Sequence, residues 1–172
     1  MNILIDEKRN ARLADFGLLT IISDPVNHLS SSSNAQGGTV RWMAPELIAP
    51  QRLGFEKSCP TKSSDCYAFG MVIYETISGE PPFRNDPDCT ISLKVVKGER
   101  PTRRTKLTDR LWEMLEICWA LQPTNRPSIN DVLRCLQVVA SLSYQPSSMD
   151  GETEDYDNRD SETSLGVALR LS

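Results

Sequence analysis

The chain has 172 residues, enough for one core and short for two. Its 39% hydrophobic and 24% charged content is that of an ordinary globular protein. A net charge of −4 argues against nucleic acid as the main partner. The acidity belongs to the C-terminal end, because residues 144–172 carry seven acids against two bases and residues 1–143 carry 16 acids against 17 bases.

The first expected element is a short hairpin over residues 2–14. Ile3 and Ile5 alternate with Leu4 and Asp6, Asp6 to Asn10 is polar, and Leu13 and Ala14 resume the apolar pattern. Residues 18–38 have little periodicity and a serine run from Ser30 to Ser33, the composition of a surface loop. His28 in that loop is the single histidine, and nothing marks it as a base or ligand, so solvated surface is expected.

Helical spacing begins at Ser64. Ser64 or Asp65 supplies a cap, and Phe69, Val72, Ile73, Thr76 and Ile77 recur as an apolar face. Gly79 closes the helix, and Pro81 and Pro82 block its continuation. A shorter helix is expected from about Thr90 to Val96, ended by Gly98. Arg100, Arg103, Arg104 and Lys106 then form a basic loop around Pro101. It is expected to be solvated, in preference to a dock for an acidic partner or the chain's own tail.

Thr108 caps the next helix, with Leu111, Met114, Leu115 and Cys118 facing inward, and Pro123 ends that region. Ser128 and Asp131 form a capping box. Ile129, Val132, Leu133, Leu136 and Val139 or Ala140 give the last helix its buried stripe. After Tyr144 the chain has too little apolar surface to offset the entropy of ordering, and a disordered acidic tail is expected.

Five cysteines, an odd number without a CxxC pair, argue against metal and disulfide frameworks. Reduced buried thiols in a cytoplasmic protein are expected. The apolar runs are too short to span a bilayer, and the N-terminus lacks a basic segment followed by an apolar one. A soluble intracellular protein is the expectation.

A series of short motifs narrows the reading. Asn2 precedes the strand-like Ile3 to Asp6, and Ala11 to Ala14 runs into Asp15-Phe16-Gly17. Gly38-Thr39-Val40-Arg41-Trp42-Met43-Ala44-Pro45-Glu46 follows, then Ser64 to Gly70, then Gly79-Glu80-Pro81-Pro82-Phe83. Cys118-Trp119 and Asn125-Arg126-Pro127 complete the series. In this order, over roughly residues 2–140, the chain resembles the C-terminal lobe of a protein kinase. Arg41 to Glu46 and Cys118-Trp119 are similar to both the tyrosine kinases and the tyrosine-kinase-like group. Gly38-Thr39 favours the latter, with Ser/Thr hydroxyls as acceptors.

The resemblance implies an α+β, mainly α fold: a helical bundle with a small β-hairpin, a truncated C-lobe. Residues 1–143 would form a partial kinase domain and residues 144–172 the disordered acidic tail. The implied chemistry is phosphoryl transfer from ATP, in which catalysis is positioning plus electrostatic stabilisation. Mg²⁺ takes oxygen ligands, and the resemblance gives that role, with ATP binding, to Asp15 first and Asn2 second. Phe16 would pack beneath the site, and Gly17 would give that segment backbone freedom. Thr39, Trp42, Ala44, Pro45 and Glu46 fall in the activation and substrate-binding segment. Thr39 would bond a catalytic aspartate, and Trp42 would pack in the substrate loop or serve equally as a core aromatic. Ser30 to Ser33 are candidate phosphosites, but an exposed serine run is favoured, because the arginine that would order them is missing. Glu46 is expected to form a buried ion pair with Arg126. Asp65, which caps the catalytic loop in the family, is expected here to cap its own helix.

The Gly-rich loop, the nucleotide lysine and the catalytic aspartate do not occur in these 172 residues. Weak or no nucleotide binding and no catalysis by the chain alone are therefore expected. The hairpin should show apolar surface and strand edge. One function is the C-terminal part of an ATP-dependent Ser/Thr protein kinase. The alternative is a non-catalytic lobe that binds substrates or regulators, and a third is a regulator that pairs with a free N-terminal lobe. Expected partners are protein substrates or regulators, with no nucleic acid and no membrane; the sequence leaves oligomeric state open.

Overall fold

The computed structural model describes residues 3–14 and 39–143. Strands β1 (Ile3–Ile5) and β2 (Ala11–Leu13) form the expected antiparallel hairpin, with Ile3 opposite Leu13 and Ile5 opposite Ala11. Asp6 fixes the turn. Its carboxylate accepts from the Lys8 N–H at 3.0 Å, the Asn10 N–H at 2.8 Å and Arg12 Nε at 3.0 Å. The bond from the Asn10 backbone is the main cause holding the Asp6 carboxyl below its ordinary range. Leu4 is 55% exposed and Leu13 70%, so the hairpin shows the apolar surface expected of it.

The second described segment opens with a 3₁₀ turn at Thr39–Trp42, helix α1 (Pro45–Ile48) and a 3₁₀ turn at Pro50–Leu53. Pro45 and Pro50 each stand in a first turn, where the missing N–H has no cost and the ring presets φ. Helix α2 (Lys62–Ser78) starts before Ser64. Thr61 is its N-cap: Thr61 Oγ1 accepts from the Ser64 N–H at 3.1 Å, and Ser64 Oγ accepts from the Thr61 N–H at 2.8 Å. This corrects the expected cap, because Asp65 lies one residue beyond that reciprocal pair and is exposed. Gly79 ends α2 at φ 77°, a left-handed conformation that glycine adopts without strain.

Helix α3 (Asp88–Val96) begins two residues before Thr90. Helix α4 (Asp109–Cys118) is capped by Thr108 as expected, and Leu111, Met114, Leu115 and Cys118 are buried. A 3₁₀ turn at Pro123–Asn125 leads to helix α5 (Ile129–Ser143). Ser128 Oγ accepts from the Asp131 N–H, and Asp131 Oδ2 accepts from the Ser128 N–H, which is the expected capping box. Val132, Leu136 and Val139 are buried, but Ile129 is 46% exposed, so the stripe starts one turn later than its spacing suggested.

The core is built around α2. Cys66, Tyr67, Met71, Ile73, Tyr74 and Ile77 are all buried on it. Thr76, expected on the inner face, is exposed and bonds back to the Val72 carbonyl. Helix α4 crosses α2 at Gly70, where an added Cβ would meet Trp119 Nε1 at 2.8 Å and Cys118 Cβ at 3.0 Å. Among the cysteines, Cys66 and Cys118 are buried and Cys135 is half-buried, while Cys59 and Cys89 are exposed. The expectation of uniformly buried thiols is therefore corrected, although all five are free.

The basic loop is also not simply solvated. Arg100 Nε donates to the Trp119 carbonyl at 2.8 Å, and its Nη1 donates to the Val95 and Glu99 carbonyls. Arg103 Nη2 donates to the Leu107 carbonyl at 2.8 Å and to Asp109 at 2.6 Å. These arginines bind the loop to α3 and α4. No helix among the described residues is long and apolar enough to cross a membrane.

Candidate functional site: the anchored segment at residues 40–48

Three side chains fix this segment to the helical base. The first is Glu46, in the first turn of α1. Arg126 Nη1 and Nη2 donate to its two carboxylate oxygens at 2.6 and 2.7 Å. The Arg126 side chain is 0% exposed and that of Glu46 6%. Burial of such a pair is tolerable only if the remaining donors are filled. Here Arg126 Nε donates to the Ala120 carbonyl at 2.9 Å and Nη1 also to the Ser63 carbonyl at 3.0 Å. One guanidinium thus ties α1, the start of α2 and the end of α4 together.

The second is Arg41. Its Nη1 donates to the Pro82 carbonyl at 2.9 Å and the Phe83 carbonyl at 2.7 Å. Its Nη2 donates to the Asp86 carbonyl at 3.0 Å and to the Asp88 carboxylate. Pro81 and Pro82 prevent α2 from continuing, and carbonyls of the turn that follows converge on this guanidinium, that of Phe83 also accepting from the Asp86 N–H at 2.8 Å. The third is Trp42, which is half-buried against the core and whose indole N–H donates to Glu75 Oε2 at 3.1 Å.

Beneath the anchor lies Tyr67. The guanidinium carbons of Arg126 and Arg100 stand 5.1 and 5.4 Å from its ring centroid. Burial pushes its hydroxyl pKa up to about 12, against the smaller opposing pull of the two arginines. Its hydroxyl is buried without a hydrogen-bond partner.

Above the anchor, the segment and α3 bound an open groove of about 440 Å³. Val40, Met43, Leu47 and Ile48 form one wall, and Asp88, Cys89 and Ser92 the other. It is mixed in character, with apolar and polar side chains facing each other across it.

Glu46 and Arg126 are therefore brought together as expected, with Trp42, Ala44 and Pro45 in the same segment. Ala44 and Pro45 are buried. Asp65 does not join them. Thr39 begins the 3₁₀ turn. Asn2, Asp15, Phe16 and Gly17 lie outside the described residues, as do His28, Ser30 to Ser33 and the tail. Among the described residues, no group of three or more His, Cys, Asp or Glu side chains could hold a metal ion. Arg41 has a role here that its place in the Arg41-to-Glu46 motif does not announce.

The family described as protein tyrosine and serine/threonine kinase matches residues 1–136. Dual specificity protein kinase pyk3 of Dictyostelium discoideum is 32% identical over 163 residues, covering 91% of this chain and 11% of that protein. Serine/threonine-protein kinase VIK of Arabidopsis thaliana is 33% identical over 129 residues, covering 74% of this chain and 28% of that protein. Serine/threonine-protein kinase STY46 of the same plant is 31% identical over 140 residues, covering 81% and 22%. The chain spans 28% or less of the length of these relatives.

Proposed function

This chain belongs to the protein tyrosine and serine/threonine kinase family, and from that premise we propose that it is the C-terminal part of an ATP-dependent kinase acting on Ser/Thr hydroxyls of proteins. The observation that carries the reading is the buried Glu46–Arg126 pair, which joins positions 80 residues apart and anchors the segment beside an open groove. Phosphoryl transfer is mostly positioning, and a segment that receives a protein acceptor must not shift relative to the reacting groups. Gly38-Thr39 and the Ser/Thr kinases among the relatives support hydroxyl specificity and the tyrosine-kinase-like group. In the complete domain Asp15, with Asn2, would hold Mg²⁺ against the ATP phosphates.

These 172 residues alone would not transfer phosphate, because they contain no Gly-rich loop, nucleotide lysine or catalytic aspartate. A second reading has its own support: described residues of the segment and of α3 line both walls of the groove. The chain alone would then bind protein segments without modifying them.

The test is the intact mass of the endogenous protein and its Mg²⁺–ATP-dependent phosphate incorporation into a Ser/Thr peptide library. The expected result is a longer product that incorporates phosphate and loses at least 100-fold in Asp15→Ala. An endogenous product of only these residues, without incorporation, would leave the binding module. Incorporation by the 172-residue chain, lost in Asp15→Ala, would overturn the inactivity proposed for it.

A further inference from the structure

On the far side of α3 from the groove's apolar wall, the stretch after α3 packs over the end of α2. It borders a second, polar cavity of about 170 Å³ that is half open to solvent. Four cations line it, Arg84, Lys94, Arg100 and Arg104, against two acids, Asp86 and Glu99. The ion pairs around it do not balance these charges. Lys94 is held by Asp86 at 2.6 Å. Glu80 alone faces two guanidiniums, with Arg84 Nη1 2.8 Å from Oε1 and Arg104 Nη2 2.6 Å from Oε2. Arg100 commits its Nε and Nη1 to neutral main-chain carbonyls, which leaves its charge in place.

Arg104 is the least satisfied cation. Its approach to Glu80 Oε2 lacks the alignment of a hydrogen bond, and both that oxygen and Arg104 Nε are buried without a hydrogen-bond partner. A buried donor left idle costs roughly 1–3 kcal/mol. An excess of positive charge beside an idle guanidinium donor suits a small dianion that offers several acceptor oxygens. The volume admits a phosphate group and is too small for a nucleotide.

We infer that this cavity is a phosphate site, taking either the phosphate monoester of a modified serine or threonine or inorganic phosphate. Arg104 and Arg84 donate to the phosphate oxygens, Lys94 and Arg100 supply field, and Glu80 holds the arginine pair apart. Asp86 and Glu99 oppose the anion and limit its affinity. The inference rests on the cavity's own charges and is independent of whether the chain is part of an active kinase.

The test uses the full 172-residue chain, treated with phosphatase, and follows thermal unfolding with inorganic phosphate, O-phosphoserine or chloride at equal ionic strength. A ligand that binds only the native state raises the midpoint in a saturable way. Phosphate or O-phosphoserine is expected to do so and chloride not, with at least tenfold weaker binding in Arg104→Gln and in Arg84→Gln. Arg134→Gln, on the exposed face of α5, is expected to bind as the parent does. Tighter binding of O-phosphoserine identifies a phosphorylated side chain as the source, and tighter binding of inorganic phosphate identifies the free ion. Chloride matching phosphate, or undiminished binding in Arg84→Gln, whose half-exposed side chain can change without unfolding the chain, overturns the inference.

Discussion

Arg126 and Arg134 carry the same charge and differ almost entirely in surroundings. The Arg126 side chain is 0% exposed and bidentate on Glu46; that of Arg134 is 74% exposed beside Asp131. Removing one member of a buried pair leaves the other uncompensated, at a cost of roughly 3–5 kcal/mol, whereas an exposed pair is worth about 0–1 kcal/mol. Urea denaturation should therefore show a large fall for Arg126→Ala and little change for Arg134→Ala; equal midpoints would refute the anchor. Tyr67, pressed against that anchor, gives a pH test. Its folded pKa of about 12 lies above the ordinary value of 10.0 because burial penalises the phenolate. Above pH 10 the unfolded chain releases this proton while the folded chain keeps it. The stabilisation is thus complete below pH 10 and is lost between pH 10 and 12, at about 1.4 kcal/mol per pH unit. Tyr67→Phe removes both that titration and an unpartnered hydroxyl. It should match or exceed the parent at pH 7 and show a flatter alkaline decline; parallel declines would rule out Tyr67 as the titrating group. The Glu46–Arg126 pair was legible in the sequence because both members sit in recognisable motifs. Arg41 and Arg100 were not, because their main partners are backbone carbonyls. Every residue has a carbonyl, so no complementary residue type announces such a bond.

At the scale of elements, the close crossing of α2 and α4 depends on one missing side chain. Two effects compete in Gly70→Ala. Alanine is favoured over glycine inside a helix by about 1 kcal/mol. Its Cβ would also stand 2.8 Å from Trp119 Nε1 and 3.0 Å from Cys118 Cβ. Neither neighbour has room to yield, since Trp119 is 1% exposed and packed edge-on against Tyr74 and Trp112, and Cys118 is 0% exposed. Overpacking of this kind costs roughly 1–3 kcal/mol, so the clash should win. Gly70→Ala is expected to lower the unfolding midpoint and shift the tryptophan emission; a more stable variant would mean that the helices can separate at no cost. The same crossing explains what the sequence concealed. Helices α4 and α5 pack on one side and show a clear helical period, so their caps and, apart from Ile129, their buried faces were readable. Helix α2 is covered on several sides, and its face could not be taken from spacing alone. Helix α1 and the 3₁₀ turns beside it are too short to leave any period.

At the scale of the whole molecule, the described residues divide into a well-packed helical base and a hairpin with exposed apolar side chains. In the base, Leu111, Leu115, Cys118, Trp119 and Val132 are at most 1% exposed and belong to one apolar cluster with Tyr67, Met71 and Ile91. In the hairpin, Leu4 is 55%, Ile5 54% and Leu13 70% exposed, although β-strands of three residues draw most of their stability from buried side chains. Among the described residues, the hairpin has local bonds: the three ladder pairs and the bonds that Asp6 gathers across the turn. Regions with few buried contacts open well below the global unfolding free energy. Amide hydrogens of Ile3, Ile5 and Leu13 should therefore exchange far faster than those in the middle of α2. The mutational counterpart follows from the same exposures. Leu115→Ala empties a fully buried position and should cost about 2–5 kcal/mol, while Leu13→Ser should leave the urea midpoint unchanged. Should Leu13→Ser cost as much as Leu115→Ala, or should the hairpin amides exchange as slowly as those of α2, the hairpin would be part of the cooperative core. Its outward leucines would then need a covering surface, in this chain or in a partner, to account for that protection.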